Sequence, residues 1–120
     1  MLLIEKSKSA PSVKYNNETN VLHIEGRSVL KNLNDNLFEV VYNFLDKYKE
    51  EGLTGLTLEF YLEYFNTSSH PSLVKLFKLT SAIKDSSIVW LYHQTDLEMM
   101  EIGSELSSFS DKPITVKQII

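Results

Sequence analysis

Between Leu56 and Leu79 the hydrophobic period changes once, from two to about 3.6. Leu56, Leu58, Phe60, Leu62 and Tyr64 alternate with Thr57, Glu59, Tyr61, Glu63 and Phe65. Successive side chains of a strand point to opposite faces, so this run predicts a strand at 56–64 with Leu56 to Tyr64 on its buried side. Leu73, Leu76, Phe77, Thr80 and Ile83 then fall at helical spacing, predicting a helix that runs to about Lys84. Asn66-Thr67-Ser68-Ser69-His70-Pro71 joins the two. Three hydroxyls thus sit where a strand ends and a helix begins. The unpaired N–H groups of a helix start form a ready site for an anion, a phosphate included.

The remaining segments fit around this unit. Val13–Tyr15 and Val21–Ile24 flank Asn16-Asn17-Glu18-Thr19-Asn20, a hairpin signal, and Gly26 is expected to end its second strand. Asn36 and Glu39 have capping-box spacing, and Leu37, Phe38, Val41, Phe44, Leu45 and Tyr48 make one apolar stripe before Gly52. That is a helix over about Asp35–Glu51. Asp85-Ser86-Ser87 is a turn, and Ile88–Tyr92 is a continuous apolar strand, the pattern of one covered on both faces or nearly so. Thr95-Asp96-Leu97-Glu98 reads as a second capping box, opening a helix with Met99, Ile102, Leu106 and Phe109 on one side. Pro113 precedes a last strand at Ile114–Ile119, and Leu2–Ile4 is a candidate edge strand. Strand–helix–strand units give parallel neighbours, so 21–25, 56–64, 88–92 and 114–119 should run parallel. With Glu59, Tyr61 and Glu63 on one face, the three helices should cover mainly the other. The expected fold is α/β: a mixed sheet, mostly parallel after an N-terminal hairpin, in a single domain spanning residues 1–120.

Composition narrows the function. The net charge is −4 with no Lys/Arg cluster, which argues against a nucleic-acid partner. The absence of cysteine removes disulfides, thiolate metal sites and cysteine nucleophiles. The longest apolar run, Ile88–Tyr92, is far short of a membrane span, and Met1–Lys6 has too few apolar residues for a signal peptide. A cytoplasmic setting is expected, with no membrane partner. No metal and no cofactor are expected either, since His23, His70 and His93 lack ligand spacing and no Gly-rich phosphate loop is present.

Ligands and partners of parallel sheets meet the carboxyl ends of the strands. Topology therefore gathers Arg27, Ser28, Asn32, Asn66, Thr67, Ser68, Ser69 and Asp96 at one edge. Ser69 suits a helix cap, with Pro71 in the first turn. A hydrolase built on Ser69 and His70 lacks a legible oxyanion hole and a Gly-x-Ser-x-Gly elbow. Glu59 and Glu63 lie over about 13 Å apart on a strand, too far to share a proton, and suit a solvated or partner-facing stripe. His23 reads as a packed or edge residue of its strand.

Leu58-Glu59-Phe60-Tyr61-Leu62-Glu63-Tyr64-Phe65-Asn66-Thr67-Ser68-Ser69 resembles the strand and Asn-Thr-Ser-Ser loop of the SiaC family of bacterial regulatory phosphoproteins. Leu22–Ser28 resembles that family's second strand and Gly-x-Ser turn, Thr95–Gly103 its acidic helix start, and Lys112-Pro113-Ile114 its final strand. The resemblance covers nearly the whole chain. It implies a STAS-like fold similar to anti-sigma factor antagonists, and no catalytic residue. It implies phosphorylation of Thr67 by a dedicated Ser/Thr protein kinase and removal by a PP2C-type phosphatase. In the best-known branch the unphosphorylated form binds and activates a diguanylate cyclase. The loop sharing this edge reads Ser28-Val29-Leu30-Lys31-Asn32 where family members usually carry Ser-Tyr-Pro-Glu-Asn, which leaves the output partner open. Lys31 is expected to be exposed and close enough to a phosphate on Thr67 to feel its charge. The competing expectation is a STAS-like interaction scaffold that is never phosphorylated.

Overall fold

Alternation and helical stripes of this kind can bury their apolar sides only against one another. The computed structural model describes residues 2–4, 11–28, 37–65, 70–112 and 114–119. Among them six strands form one sheet whose order is the order of the chain: β1 (Leu2–Ile4), β2 (Ser12–Asn16), β3 (Val21–Ser28), β4 (Thr57–Phe65), β5 (Ser87–His93) and β6 (Ile114–Ile119). β1 and β2 pair antiparallel, as do β2 and β3, and the later neighbours are parallel. The crossovers carry α1 (Leu37–Glu50), α2 (His70–Ser81) and α3 (Leu97–Leu106), the last followed by a 3-10 turn at Ser107–Phe109. Each parallel connection steps the same way across the sheet. With one handedness, every crossover helix then lands on the same face.

That face holds the core. Leu22, Ile24, Leu58, Phe60, Leu62, Ile88 and Trp90 meet Phe38, Val41 and Leu45 of α1, Leu73, Leu76 and Phe77 of α2, and Met99 and Leu106 of α3. Phe60 stands at the centre, 5.6 Å from Phe77 edge-on and 5.3 Å from Trp90. Burying one such side chain stabilises the fold by about 1.5–3 kcal/mol. Among the described residues the other face carries no helix. Val89 and Leu91 of β5 are only half-buried there, while Ile88 and Trp90 are enclosed. The continuous apolar run of β5 is therefore covered on one side only.

The structure moves several expected boundaries. β3 does not stop at Gly26 but runs to Ser28, because the glycine, at φ 126°, absorbs a slip in the β3–β4 register and the ladder resumes beyond it. α2 ends at Ser81, before the expected Lys84. There Ile83 N–H donates to the Thr80 carbonyl at 2.9 Å, Ser86 Oγ donates to the same carbonyl at 2.7 Å, and Lys112 Nζ donates to the Ile83 carbonyl at 3.0 Å. These bonds satisfy the helix end, and Ile83 reaches the core from the turn. The cap of α3 is Asp96, whose Oδ1 accepts from Met99 N–H at 3.1 Å. Thr95 instead turns its hydroxyl to His93 Nδ1, 2.8 Å away. The expected cap at Asn36 lies outside the described residues.

The amino edge of the sheet is bolted by one side chain. Asn20, at φ 59°, accepts from the Tyr15 and Tyr48 hydroxyls at 2.8 and 2.9 Å. Its amide donates to the Thr54 carbonyl at 2.9 Å, and its own carbonyl accepts from Thr57 N–H at 3.0 Å. The β2–β3 turn, α1 and the start of β4 are thereby held together.

Candidate functional site

At the carboxyl edge the slip beyond Gly26 decides what faces outward. Gly26 pairs with Leu62, but Arg27 pairs with Tyr64 and Ser28 with Phe65. One residue of β4 is passed over, and a side-chain period of two reverses every face beyond such a slip. Tyr64, expected on the buried side, is therefore 44% exposed beside Arg27. The Arg27 guanidinium lies 5.5 Å from the ring centroid, a contact worth about 0.5–1 kcal/mol at an exposed site.

β4 then ends at Phe65, opposite Ser28, and α2 begins at His70 with Pro71 in its first turn, as its missing N–H allows. The His70 ring packs edge-on against Phe109 at 5.4 Å, tying the start of α2 to the 3-10 turn after α3. Asn66, Thr67, Ser68 and Ser69 join these fixed ends in sequence and lie outside the described residues, as do Lys31 and Asn32. Of the residues gathered here from topology, Arg27 and Ser28 flank the end of β4, and Asp96 approaches it from α3.

The α3 side of the edge is set by packing. Trp90 Nε1 donates to the Met99 carbonyl at 3.0 Å, and Gly103 lies against the indole. This close approach draws the first turn of α3 toward β4. Between them is a notch of ≈ 110 Å³ lined by Glu63, Tyr64, Asp96, Glu98, Met99 and Ile102. Glu63 and Glu98 were not singled out as site residues from sequence. Their signal was present in the capping-box acid and the period-two stripe, but only the fold brings the two together.

A second cluster on the open face also went unread. His23 Nδ1 lies 2.7 Å from Glu59 Oε1, and its Nε2 lies 3.0 Å from Glu25 Oε1. Parity puts all three on one face, while the parallel register that sets His23 beside Glu59 is not legible in either strand alone. Among the described residues no group of three His, Asp or Glu side chains could hold a metal ion, and no helix is long and apolar enough to cross a membrane.

The strand order never reverses, so the sheet has no switch point at which neighbouring loops splay into a ligand crevice. Among the described residues, the carboxyl edge is a surface with a small notch between β4 and α3. Such geometry suits a protein partner better than an enclosed small molecule.

The model of SiaC family regulatory phosphoproteins matches residues 4–119. Among solved structures, the chain aligns over 99% of its length with 99% of a chain in the crystal structure of diguanylate cyclase SiaD in complex with its activator SiaC from Pseudomonas aeruginosa, at 21% identity and a TM-score of 0.84. SiaC of Pseudomonas aeruginosa aligns at 22% identity and a TM-score of 0.79, covering 98% of both chains. Its apo form aligns at 23% identity and a TM-score of 0.76, covering 97% of both. Among curated proteins none matches.

Proposed function

The chain belongs to the SiaC family of regulatory phosphoproteins, and on that premise we propose that it is a non-enzymatic switch whose state is a phosphate on Thr67 and whose output is binding to another protein. The observation that carries this reading is the placement of the two ends of the Asn66–Ser69 segment. Phe65 is held in the sheet opposite Ser28, and α2 opens at His70 directly after Ser69. Thr67 is thus the second of four residues joining a fixed strand end to a fixed helix start.

A phosphate adds about −1.5 to −2 charge and three strong acceptor oxygens. Next to a helix start it meets free N–H groups and the positive end of the helix dipole. Ser68 and Ser69 supply the cap and the N–H donors beneath it, and Asn66 forms the loop. Arg27, Ser28, Lys31 and Asn32 shape the adjoining surface. A Ser/Thr protein kinase writes the mark in the cytoplasm and a PP2C-type phosphatase erases it. A partner packed over this edge would have to bury the phosphate's charge, which costs several kcal/mol unless it is paired. The Pseudomonas aeruginosa structure describes SiaC as the activator of diguanylate cyclase SiaD, so a diguanylate cyclase is the first output to test for this chain.

The test is a titration of a cognate diguanylate cyclase with unmodified, Thr67→Ala and enzymatically phosphorylated protein, with intact mass confirming each state. Thr67→Ala should bind as the unmodified chain does. Phosphorylation should weaken binding by roughly two orders of magnitude, a loss of about 3 kcal/mol. Ser68→Ala should remain a kinase substrate. Equal binding by the alanine variant and the phosphorylated protein would make Thr67 a turn residue and the domain a constitutive scaffold.

A further inference from the structure

The two borders of the sheet are built differently. At one border β1 is three residues long, and its pairing with β2 shifts register between Leu2 and Ile4. Short strands and irregularities of this kind keep a border from pairing with another chain. At the other border β6 keeps an unbroken register with β5, from Ile114 opposite Ile88 to Ile119 opposite His93. No Pro or Gly interrupts it from Ile114 to Ile119.

Gln94 N–H donates to the Ile119 carbonyl at 3.1 Å, so Ile119 turns its backbone groups toward β5. These groups alternate in side along a strand. Thr115 and Lys117 therefore bond toward β5 as Ile119 does, and Ile114, Val116 and Gln118 present N–H and C=O outward. Among the described residues nothing hydrogen-bonds to those outward groups. Ile4, Ser28 and Phe65, where the longer stretches outside the described residues begin, stand on β1, β3 and β4, with β5 between them and β6. The side chains alternate too. Ile114 is buried and Val116 half-buried against the core, while Thr115 and Lys117 are exposed on the other face.

We propose that β6 is a docking strand for a second copy of this chain, paired antiparallel about a two-fold axis at Val116, so that two sheets become one. A two-fold contact sets residue i of one copy against j of the other, and j against i. Centred on Val116, it places Ile114 opposite Gln118 and Val116 opposite Val116 as hydrogen-bonded pairs. Every outward N–H and C=O of these residues then finds a partner. Thr115 faces Lys117 across the joint, and the paired Val116 side chains extend the core over it. A slip toward the chain end would set Lys117 against Lys117, and like charges directly opposite are destabilising. The reverse slip leaves Gln118 facing Lys112, ahead of β6. The strand thus complements itself in one register.

Charge opposes the pairing. The net charge is −4. α3, which packs over β5 and β6, carries Glu98, Glu101 and Glu105 after Asp96, and no Lys or Arg occurs from Thr95 to Asp111. Like-charged copies repel, so added salt should strengthen the dimer. One strand pair is smaller than the roughly 1,200–2,000 Å² of a stable interface, so the dimer belongs at high protein concentration. The joint stands apart from the end of β4 and is independent of the proposed phosphate switch.

Sedimentation of the full chain up to about 1 mM, at low and moderate salt, measures the association, and amide hydrogen exchange followed by NMR locates it. Thr115→Lys sets a like charge opposite Lys117, although its lower net charge alone would favour association. Adding Lys117→Glu to it restores opposite charges across the joint. Thr19→Lys, exposed in the β2–β3 turn, makes the same net-charge change away from β6. Circular dichroism checks their folding. The parent should dimerise, and Thr115→Lys should weaken the dimer by about tenfold. At moderate salt the double variant and Thr19→Lys should stay within about threefold of the parent or bind tighter. Protection of the Ile114, Val116 and Gln118 amides should rise with concentration, while that of Lys117 stays constant. Thr67→Ala should dimerise as the parent does, whatever becomes of the switch. A chain monomeric throughout would overturn the proposal, as would a dimer that Thr115→Lys leaves intact or the double variant fails to restore. Protection of Val116 that arises only with an output protein would give β6 to that partner and overturn the pairing of copies.

Discussion

Gly103 of α3 lies so close to the indole of Trp90 that a β-carbon there would stand 2.3 Å from Cδ1 and 2.7 Å from Nε1. Trp90 is fully buried and its Nε1 is committed to the Met99 carbonyl, so the ring has little freedom to retreat. In an exposed helix, Gly→Ala would stabilise by about 1 kcal/mol. Here overpacking, at about 1–3 kcal/mol or more, outweighs that gain. Gly103→Ala should lower stability by about 1–3 kcal/mol in urea unfolding, with a change in tryptophan fluorescence. A variant more stable than the parent would mean that the helix can move off the sheet at small cost.

The asparagine at the amino edge offers a second test. Asn20→Ala removes an acceptor within reach of the Tyr15 and Tyr48 hydroxyls and the donor to Thr54, while Tyr48 keeps the Thr54 carbonyl at 2.8 Å, and it leaves φ 59° without side-chain compensation. Each lost hydrogen bond costs about 0.5–1.5 kcal/mol and the left-handed conformation about 1–2 kcal/mol. A loss of about 2–4 kcal/mol is expected, with the Thr67-dependent binding unchanged in the folded fraction. Asn20→Gly should recover the backbone part of that loss only.

Strand and helix identities were legible because periodicity is local: β4, α1, α3 and β6 follow from spacing within each segment. What escaped was non-local. The slip that turns Tyr64 outward exists only in the pairing of β3 with β4, and the sequence around Gly26 reads equally well as a strand end. Asp96 and Thr95 are both good caps by type, and only the geometry of the His93 turn assigns Thr95 elsewhere. Ile83 keeps helical spacing because it is buried, although the helix has already ended. At the site, the parallel pairing sets Arg27 and Ser28 beside the end of β4, whereas Glu63 and Glu98 come together only through the packing of α3 on the sheet. The expectations for Lys31, Asn32 and Asn66–Ser69 fall on residues outside the described ones.

Stability should fall in alkali. Burial pushes the Tyr42 phenol above its usual value, against a smaller lowering by Ser72. Burial, with a smaller contribution from Tyr48, raises Tyr15 likewise. The unfolded chain releases these protons near pH 10, whereas the folded chain retains them longer. Their stabilising contribution is whole below about pH 10 and is lost as the pH rises through the folded pKa values. Tyr42→Phe removes one of these groups and its 3.1 Å bond to the Ser72 carbonyl. It should cost about 0.5–1.5 kcal/mol at pH 7 and show a shallower alkaline decline in urea titrations. An unchanged decline would exclude Tyr42 as a source.

On the proposed switch, a phosphate on Thr67 should change binding far more than stability. Placed next to the start of α2, it should leave the unfolding midpoint unchanged or slightly raised, because the helix dipole favours negative charge there by about 0.3–1 kcal/mol. A large drop in stability would mean that the modification acts by melting the edge rather than by blocking it. Thermal unfolding of matched phosphorylated and unmodified samples decides between them.

The proposed switch also makes a prediction at Lys31, the cation between Ser28 and Asn32 in the sequence. Lys31→Glu should change kinase or partner affinity at low salt and lose most of that effect as added salt screens exposed charges over about 8–10 Å. Affinity unchanged at low salt would remove Lys31 from the site.

The strand order has a consequence for how the chain can be made. Because β1 to β6 lie side by side in the order of synthesis, each new strand meets a neighbour that has already emerged. No strand must be threaded between two that are already paired. During translation, which delivers about 5–20 residues each second, the sheet can grow at a single advancing border. β6 and the layer in which Trp90 receives Gly103 are then the last to close, so the acidic helix joins a sheet whose Thr67 connection is already laid down.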